Sequence, residues 1–100
     1  MYVVQNRIEV PEDSADEFEQ AFVNNMRGTL SGVPGLRRSM LLRPTRGGQP
    51  YVATMEFDTP DDFMAWMKSD AFKAAHANAK APGSHAPSAE AFTVVEEARL

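Results

Sequence analysis

Residues 2–10 alternate between two sets of side chains, and this alternation is the strongest constraint on the fold. One set is Tyr2, Val4, Asn6, Ile8 and Val10, and the other is Val3, Gln5, Arg7 and Glu9. A period of two residues predicts a β-strand with one apolar face and one largely polar face. Because the apolar face must be covered by another layer, we expect a sheet with further elements packed on one side.

After Pro11 the apolar period changes to that of a helix. The residues at helical spacing are Phe18, Ala21, Phe22 and Met26. Residues 14–17 (Ser-Ala-Asp-Glu) have the form of a capping box, in which the hydroxyl and the carboxylate satisfy free backbone amides. We therefore expect a helix from about Ser14 to Gly28 with a side-chain cap at Ser14.

The rest of the chain continues the same mixture of elements. Turn residues at 33–35 precede a predicted strand at 36–43, and the loop 44–50 leads to a predicted strand at 51–58. Thr59, followed by Pro60 and two acids, predicts a capped helix. Ser69 and Asp70 can cap a further, alanine-rich helix from residue 71 to about 81, and a last strand is expected at 91–97.

This order, β-α-β-β-α(α)-β, predicts an α+β fold of the ferredoxin-like, split βαβ type, with a single domain over residues 1–100. Helices on one face of a four-stranded sheet leave the other face uncovered. Because the strands carry apolar residues on both faces, a homodimer is the natural way to cover it. The fold alone does not specify a function.

The composition excludes several classes of function. The chain has no cysteine, so it cannot build a disulfide scaffold, a thiolate metal site or an iron–sulfur cluster. Its net charge of −4 makes nucleic acid a poor partner, and no apolar stretch approaches the roughly 20 residues of a membrane span. We therefore expect a cytoplasmic protein that binds neither nucleic acid nor membrane. Four clustered arginines are expected to be solvated charges around a hairpin: Arg37, Arg38, Arg43 and Arg46.

Asn6 is the first residue that does not suit a simple core, because it lies on the apolar face of the first strand. A buried amide is costly unless it is hydrogen-bonded. Two interpretations stay open: an amide bonded to neighbouring backbone or a buried water, and a donor aimed into a pocket.

His76 is the second such residue, four positions after Phe72 on the same predicted helical face. A histidine satisfied within the core is one interpretation, and a metal ligand is the other. Two histidines and no cysteine cannot assemble a tetrahedral zinc site. A lone axial imidazole suits haem, whose macrocycle supplies the other ligands. The alanines around His76 would let a flat group approach the helix, although helix propensity explains them equally well: Ala71, Ala74, Ala75 and Ala79.

Trp66 is the third, ten residues before His76, where it would line the same cavity or serve as a core tryptophan. His85 lies in a Gly-Ser-His-Ala-Pro loop sequence and is expected to be an exposed loop residue.

These residues resemble a known family, the small dimeric haem-degrading monooxygenases of the IsdG type within the antibiotic-biosynthesis monooxygenase superfamily. The Gln-Asn-Arg-Ile of the first strand resembles the family's Asn-bearing strand. The segment Trp66-Met-Lys-Ser-Asp-Ala-Phe-Lys-Ala-Ala-His76 is similar to its Trp-to-His segment, with the same internal spacing. Pro34-Gly35 and Leu41-Leu42-Arg43-Pro44 also match, but they recur across the superfamily.

The resemblance implies a dimeric α+β barrel with one haem per subunit between sheet and helices. It implies that His76 is the proximal iron ligand, that Asn6 donates a hydrogen bond on the distal side, and that Trp66 presses on the macrocycle and ruffles it. It also implies that haem is both substrate and cofactor, with O2 and an external electron donor or reductase as further requirements. For the edge of the haem no family motif matches, and Asn25 and Arg27 of the first helix are candidates there.

The sequence therefore predicts a monooxygenase that cleaves haem oxidatively and releases iron. Three alternatives remain: a haem-binding carrier that does not degrade haem, a cofactor-independent monooxygenase acting on a quinol or polyphenol, and a structural or stress-related dimer. The carrier would keep His76 without an oriented Asn6, and the cofactor-independent enzyme would have no affinity for haem.

Overall fold

The computed structural model describes residues 1–75 and 88–100. Its strands are β1 (Tyr2–Ile8), β2 (Leu36–Leu42), β3 (Tyr51–Phe57) and β4 (Ser88–Thr93). Its helices are α1 (Ala15–Thr29), α2 (Pro60–Met67) and α3 (Asp70–Ala75), with a short 3-10 turn (Glu12–Ser14) before α1. The predicted element order and the ferredoxin-like α+β fold are confirmed.

The four strands form one antiparallel sheet in the order β2-β3-β1-β4. On β1, Asn6 lies opposite Ala53 of β3 and Ala89 of β4, and Gln5 lies opposite Thr54. Because successive side chains point to opposite faces, Asn6 and Thr54 lie on different sides of the sheet. β1 is a central strand, so both of its neighbours contribute side chains around Asn6.

We call the two sides the covered face and the open face. The covered face carries the even-numbered residues of β1 and Tyr51, Ala53, Met55 and Phe57 of β3, on which the helices pack. The open face carries the odd-numbered residues of β1 together with Val52, Thr54 and Glu56 of β3, and Phe92 of β4. Ring contacts hold α1 and α2 on the covered face. Within the described residues, no helix makes such ring contacts with the open face.

Aromatic side chains close the covered face at both ends. At one end Phe18 of α1 packs edge-on against Tyr51 with ring centroids 4.9 Å apart, next to buried Ile8. At the other end Phe63 of α2 contacts both Tyr2 and Phe57, and Phe57 is fully buried. Full burial of one such side chain contributes about 2–3 kcal/mol, so these contacts fix the positions of the helices.

The start of α2 confirms the predicted cap. The Thr59 hydroxyl accepts a hydrogen bond from the Asp62 N–H at 3.1 Å, and Pro60 occupies the first helical turn. The predicted capping box at Ser14 is wrong, because the Ser14 side chain makes no capping hydrogen bond. The chain instead enters α1 through the 3-10 turn, where the Ser14 N–H donates to the Pro11 carbonyl at 2.9 Å.

The last strand lies earlier than predicted, at Ser88–Thr93 instead of 91–97. Its register places Thr93 opposite Tyr2, the first residue of β1, and the Val94 N–H makes one further bond to the Met1 carbonyl. Residues after Val94 lie past the end of β1 and have no ladder to join. The predicted helix over 71–81 is present as α3 to Ala75, and its remainder lies outside the described residues.

Candidate active site

Asn6 is the polar residue of the covered face that most needs a partner. Its Oδ1 atom is buried and accepts no hydrogen bond from any residue in the described ranges 1–75 and 88–100. An unpaired buried amide oxygen costs about 1–3 kcal/mol. Because a 180° turn of the amide exchanges oxygen and nitrogen, this side chain can present either an acceptor or an N–H donor to a ligand.

The neighbours of Asn6 across the sheet are small. Ala53 lies beside it on β3 and Ala89 on β4, whereas aromatic rings stand at both ends of the same face. A single methyl group on each side leaves the amide higher than its cross-strand neighbours. We call the surface formed by Ala53 and Ala89 the alanine floor, and it is suited to a flat ligand that lies on the sheet and contacts the amide.

Trp66 lies at the α2 end of the covered face and is 7% exposed. Its indole packs against Phe57 at 6.0 Å and meets Phe72 of α3 edge-on at 4.9 Å, measured between ring centroids. The indole therefore belongs to an aromatic cluster that joins β3, α2 and α3.

Ser69 links α2 to α3. Its hydroxyl donates to the Trp66 carbonyl at 2.5 Å and accepts from the Phe72 N–H at 3.2 Å, which is the bonding pattern of a helix cap. This confirms that a new helix is capped here, and it fixes the direction in which α3 leaves the aromatic cluster. His76 directly follows Ala75 in the sequence, but both His76 and His85 lie outside the described residues, so the ligand role of His76 stays a prediction.

A second polar cluster closes the opposite end of the covered face. The Glu19 carboxylate of α1 accepts two hydrogen bonds from Arg43, each 2.7 Å long, and one from the Tyr51 hydroxyl. These donors lower the pKa of Glu19 to about 2, and the same carboxylate raises the pKa of Tyr51. Residues 24 and 32 positions apart are thereby joined, and α1 is held to the end of the β2–β3 hairpin.

Three of the four clustered arginines are engaged in exposed ion pairs, namely Arg37 with Asp58, Arg38 with Glu56 and Arg43 with Glu19. A cleft of about 480 Å³ lies beside the β2–β3 loop, where it is lined by both acids and bases, among them Glu9, Glu12 and Arg46. Neither Asn6 nor Trp66 lines it. This cleft is therefore separate from the candidate site.

Within the described residues, no helix has the length and apolar character to cross a membrane, and no three His, Asp or Glu side chains group as metal ligands.

Sequence reasoning did not identify the alanine floor, the Glu19 cluster or Thr54, whose buried hydroxyl has no partner in the described structure. The alternation of side chains along β3 is a signal that could have placed Ala53 and Thr54 on opposite faces of the sheet. Nothing local connects Glu19 to Arg43 and Tyr51, since that pairing depends on how α1 lies across the sheet.

Comparison with known proteins places this geometry in a family. Residues 1–78 match the family model described as antibiotic biosynthesis monooxygenase. The chain is 37% identical over 81 residues to a protein of Staphylococcus haemolyticus named heme oxygenase (staphylobilin-producing), covering 78% of this chain and 75% of that protein. A protein of the same name from Staphylococcus saprophyticus is 35% identical over 79 residues, which cover 76% of this chain and 73% of that protein.

The fold extends the likeness over the whole chain. The structure of the heme-degrader MhuD from Mycobacterium tuberculosis, with two hemes bound in its active site, superposes with a TM-score of 0.82. The identity is 31%, and the match covers 99% of this chain and 100% of that one. By sequence and by fold, this chain belongs to the antibiotic biosynthesis monooxygenase family.

Proposed function

We propose that this protein is a haem-degrading monooxygenase that cleaves the porphyrin with O2 and electrons from an external donor and releases the iron. The observation that carries the proposal is the Asn6 side chain, whose buried amide oxygen has no partner among the described residues and lies between small side chains in the covered face. Membership of a family whose relatives are named heme oxygenase, and likeness to a heme-degrader, support the same reading.

The residues present fit haem as the bound substrate. A porphyrin is a flat apolar plate, and the alanine floor offers it room against the sheet between two aromatic ends. When bound, haem supplies the chemistry of oxygen activation. The protein then has to hold the plate, orient the reacting atoms and exclude water.

We assign three residues to these tasks. Asn6 would donate its amide N–H from the sheet side and orient the reacting group, since its buried amide oxygen has no partner among the described residues and the amide can turn to present either atom. His76 would supply the imidazole that binds the haem iron. Trp66 is held rigidly by Phe57 and Phe72, so it can press on the macrocycle without yielding.

We also propose an oligomeric state and a cellular compartment for this protein. Phe92 is 47% exposed on the open face, and the buried Thr54 hydroxyl there has no partner in the described chain. We propose that a second copy covers this face, with residues 1–100 acting as one domain of a homodimeric barrel. We also propose the cytoplasm as its compartment, since a cytoplasmic reductase would supply the electrons.

One titration tests the proposal. Hemin is added to the purified apoprotein and the absorption spectrum is recorded. Ascorbate and air are then supplied with catalase present, and released iron is measured with a chelator. The wild type is compared with His76→Ala, and His85→Ala serves as a matched histidine control.

We expect a stoichiometric Soret band in the wild type and in His85→Ala that decays with iron release, and loss of that band in His76→Ala. A wild-type band that survives reductant would instead identify a haem carrier. A wild type without any band would remove the iron-ligand role of His76 and favour a cofactor-independent monooxygenase acting on a quinol or polyphenol.

A further inference from the structure

Ser69 makes hydrogen bonds in both directions along the chain at the junction of α2 and α3. Its N–H and its hydroxyl both donate to the Trp66 carbonyl, at 2.9 and 2.5 Å. Its hydroxyl oxygen accepts from the Phe72 N–H at 3.2 Å, and its carbonyl accepts from the Lys73 N–H at 3.3 Å. One residue therefore bonds the last turn of α2 and the first turn of α3.

The two helices are also joined by aromatic rings at the same junction. Phe72, whose N–H is bonded to the Ser69 hydroxyl, meets the Trp66 indole edge-on with the ring centroids 4.9 Å apart. Trp66 is buried, and Ser69 and Phe72 are half-buried. A hydrogen bond that is partly shielded from water is stronger than one in open solvent. The backbone and the ring of Phe72 are thus both fixed relative to Trp66.

This junction lies between two residues that we have assigned to haem. Trp66 is in the last turn of α2, and His76 is the next residue in the sequence after Ala75, the last residue of α3. Because a helix fixes the rise and rotation of each residue, a change in the first turn of α3 is carried to its far end. A misplacement of about 1 Å is enough to change a catalytic rate about 100-fold.

We infer that Ser69 is a positioning residue, whose hydroxyl sets the place of the His76 imidazole relative to the Trp66 indole and thereby the fit of both side chains to one haem. The inference rests on the proposed function and deepens it. A hydroxyl suits this task because it donates and accepts, so that it holds α2 and α3 at once. A side chain that only accepts would cap α3 without adding a bond to α2.

Three substitutions separate positioning from ordinary helix capping. Ser69→Ala removes both the donor and the acceptor, and Ser69→Thr keeps both. Ser69→Asp keeps an acceptor that can cap α3, but its carboxylate has no proton to donate to the Trp66 carbonyl. Thr59→Ala is the matched control, because the Thr59 hydroxyl caps the other end of α2 by accepting from the Asp62 N–H at 3.1 Å.

Two spectroscopic readouts follow the junction without requiring turnover. Trp66 is the single tryptophan of the chain, so its emission in the apoprotein reports its surroundings, and its quenching by added hemin gives the dissociation constant. The stretching band between iron and imidazole, in the resonance Raman spectrum of the reduced complex without oxygen, reports the iron ligand. Urea unfolding of each apoprotein measures its stability.

We expect Ser69→Ala to change the Trp66 emission, to shift the iron–imidazole band and to weaken hemin binding about tenfold, the effect of one or two neutral hydrogen bonds. Ser69→Thr should keep the wild-type band and an affinity within about twofold of wild type. Ser69→Asp should keep the urea midpoint and still show a shifted band. Thr59→Ala should lose stability as Ser69→Ala does and keep the wild-type band and affinity.

A wild-type band and affinity in Ser69→Ala would overturn the inference and leave the proposed function standing. A wild-type band in Ser69→Asp would also overturn it, because capping alone would then be sufficient, and this variant carries the test if Ser69→Ala does not fold. An equal loss of affinity in Thr59→Ala would overturn it as well, since the effect would then follow stability. A wild type that binds no hemin would overturn the proposed function and this inference together.

Discussion

The two faces of the sheet each bury a polar atom that has no partner in the described chain, and they do so in different ways. Asn6 Oδ1 lies on the covered face between Ala53 and Ala89, and Thr54 Oγ1 lies on the open face between Gln5 and Met40. Small neighbours leave room beside an amide for a flat ligand, whereas longer neighbours enclose a hydroxyl. The comparison indicates that one face is built to receive a small molecule and the other to pack.

The largest expected effect concerns the aromatic packing that distinguishes the covered face. Trp66→Ala should lower the free energy of unfolding by about 3–5 kcal/mol, because a 7% exposed indole would leave a cavity among Phe57, Phe63 and Phe72. Phe92→Ala on the open face should cost less than about 1 kcal/mol in the monomer. Urea unfolding of both variants measures the difference, and similar losses would break the comparison.

The next effect concerns the two buried polar atoms themselves. Asn6→Ala should slow haem degradation about 100-fold while hemin binding changes little, because it removes an oriented donor and not the iron ligand. Thr54→Val, which removes the hydroxyl at nearly constant shape, should leave degradation unchanged. Single-turnover decay of the Soret band gives both rates. Unchanged decay in Asn6→Ala would contradict the catalytic role of this face.

The open face can be tested through assembly. Phe92→Asp should raise the dimer dissociation constant at least tenfold, because it places a charge in a surface proposed to be covered by a second copy. Met64→Asp is the control, since Met64 is a similarly exposed apolar residue of α2, at 49% against 47% for Phe92. Sedimentation equilibrium measures both. A wild type that is monomeric at high concentration would show that the open face needs no second copy.

The smallest effect concerns the carboxylate that closes the covered face. Glu19 has a folded-state pKa of about 2, below its ordinary value of 4.5, so its contribution to stability is present above about pH 4.5 and is lost as pH falls toward 2. Glu19→Gln should lower stability at pH 7 by about 1 kcal/mol and reduce the acid-dependent loss. Unfolding midpoints between pH 2 and 7 provide the measurement.

The control for Glu19 is Glu90→Gln, which affects an exposed ion pair with Arg7 at 3.3 Å on the open face. We expect a change within about 0.5 kcal/mol, the ordinary contribution of a solvated pair. An acid profile of Glu19→Gln that parallels the wild type would show that the cluster with Arg43 and Tyr51 does not hold α1.

Much of the fold could be predicted because its signals are local. Alternation identified β1, and the Thr59–Pro60 pair identified the start of α2, since each depends on neighbours a few residues away. The capping box at Ser14 failed because two local solutions compete at that helix start, and the 3-10 turn already pairs the Ser14 N–H with the Pro11 carbonyl. The last strand was misplaced because its limits depend on pairing with β1, a distant segment.

For the site, the sequence by itself identified Asn6 as a polar residue in an apolar row and Trp66 as an aromatic residue at helical spacing, because a residue type that breaks a short-range period is visible in one dimension. Only the tertiary structure decided that Ala53 and Ala89 flank Asn6 and that Phe72 meets Trp66. It alone also joined Glu19 to Tyr51. Those relations come from strand register and helix packing, which bring together residues tens of positions apart and therefore leave no local trace.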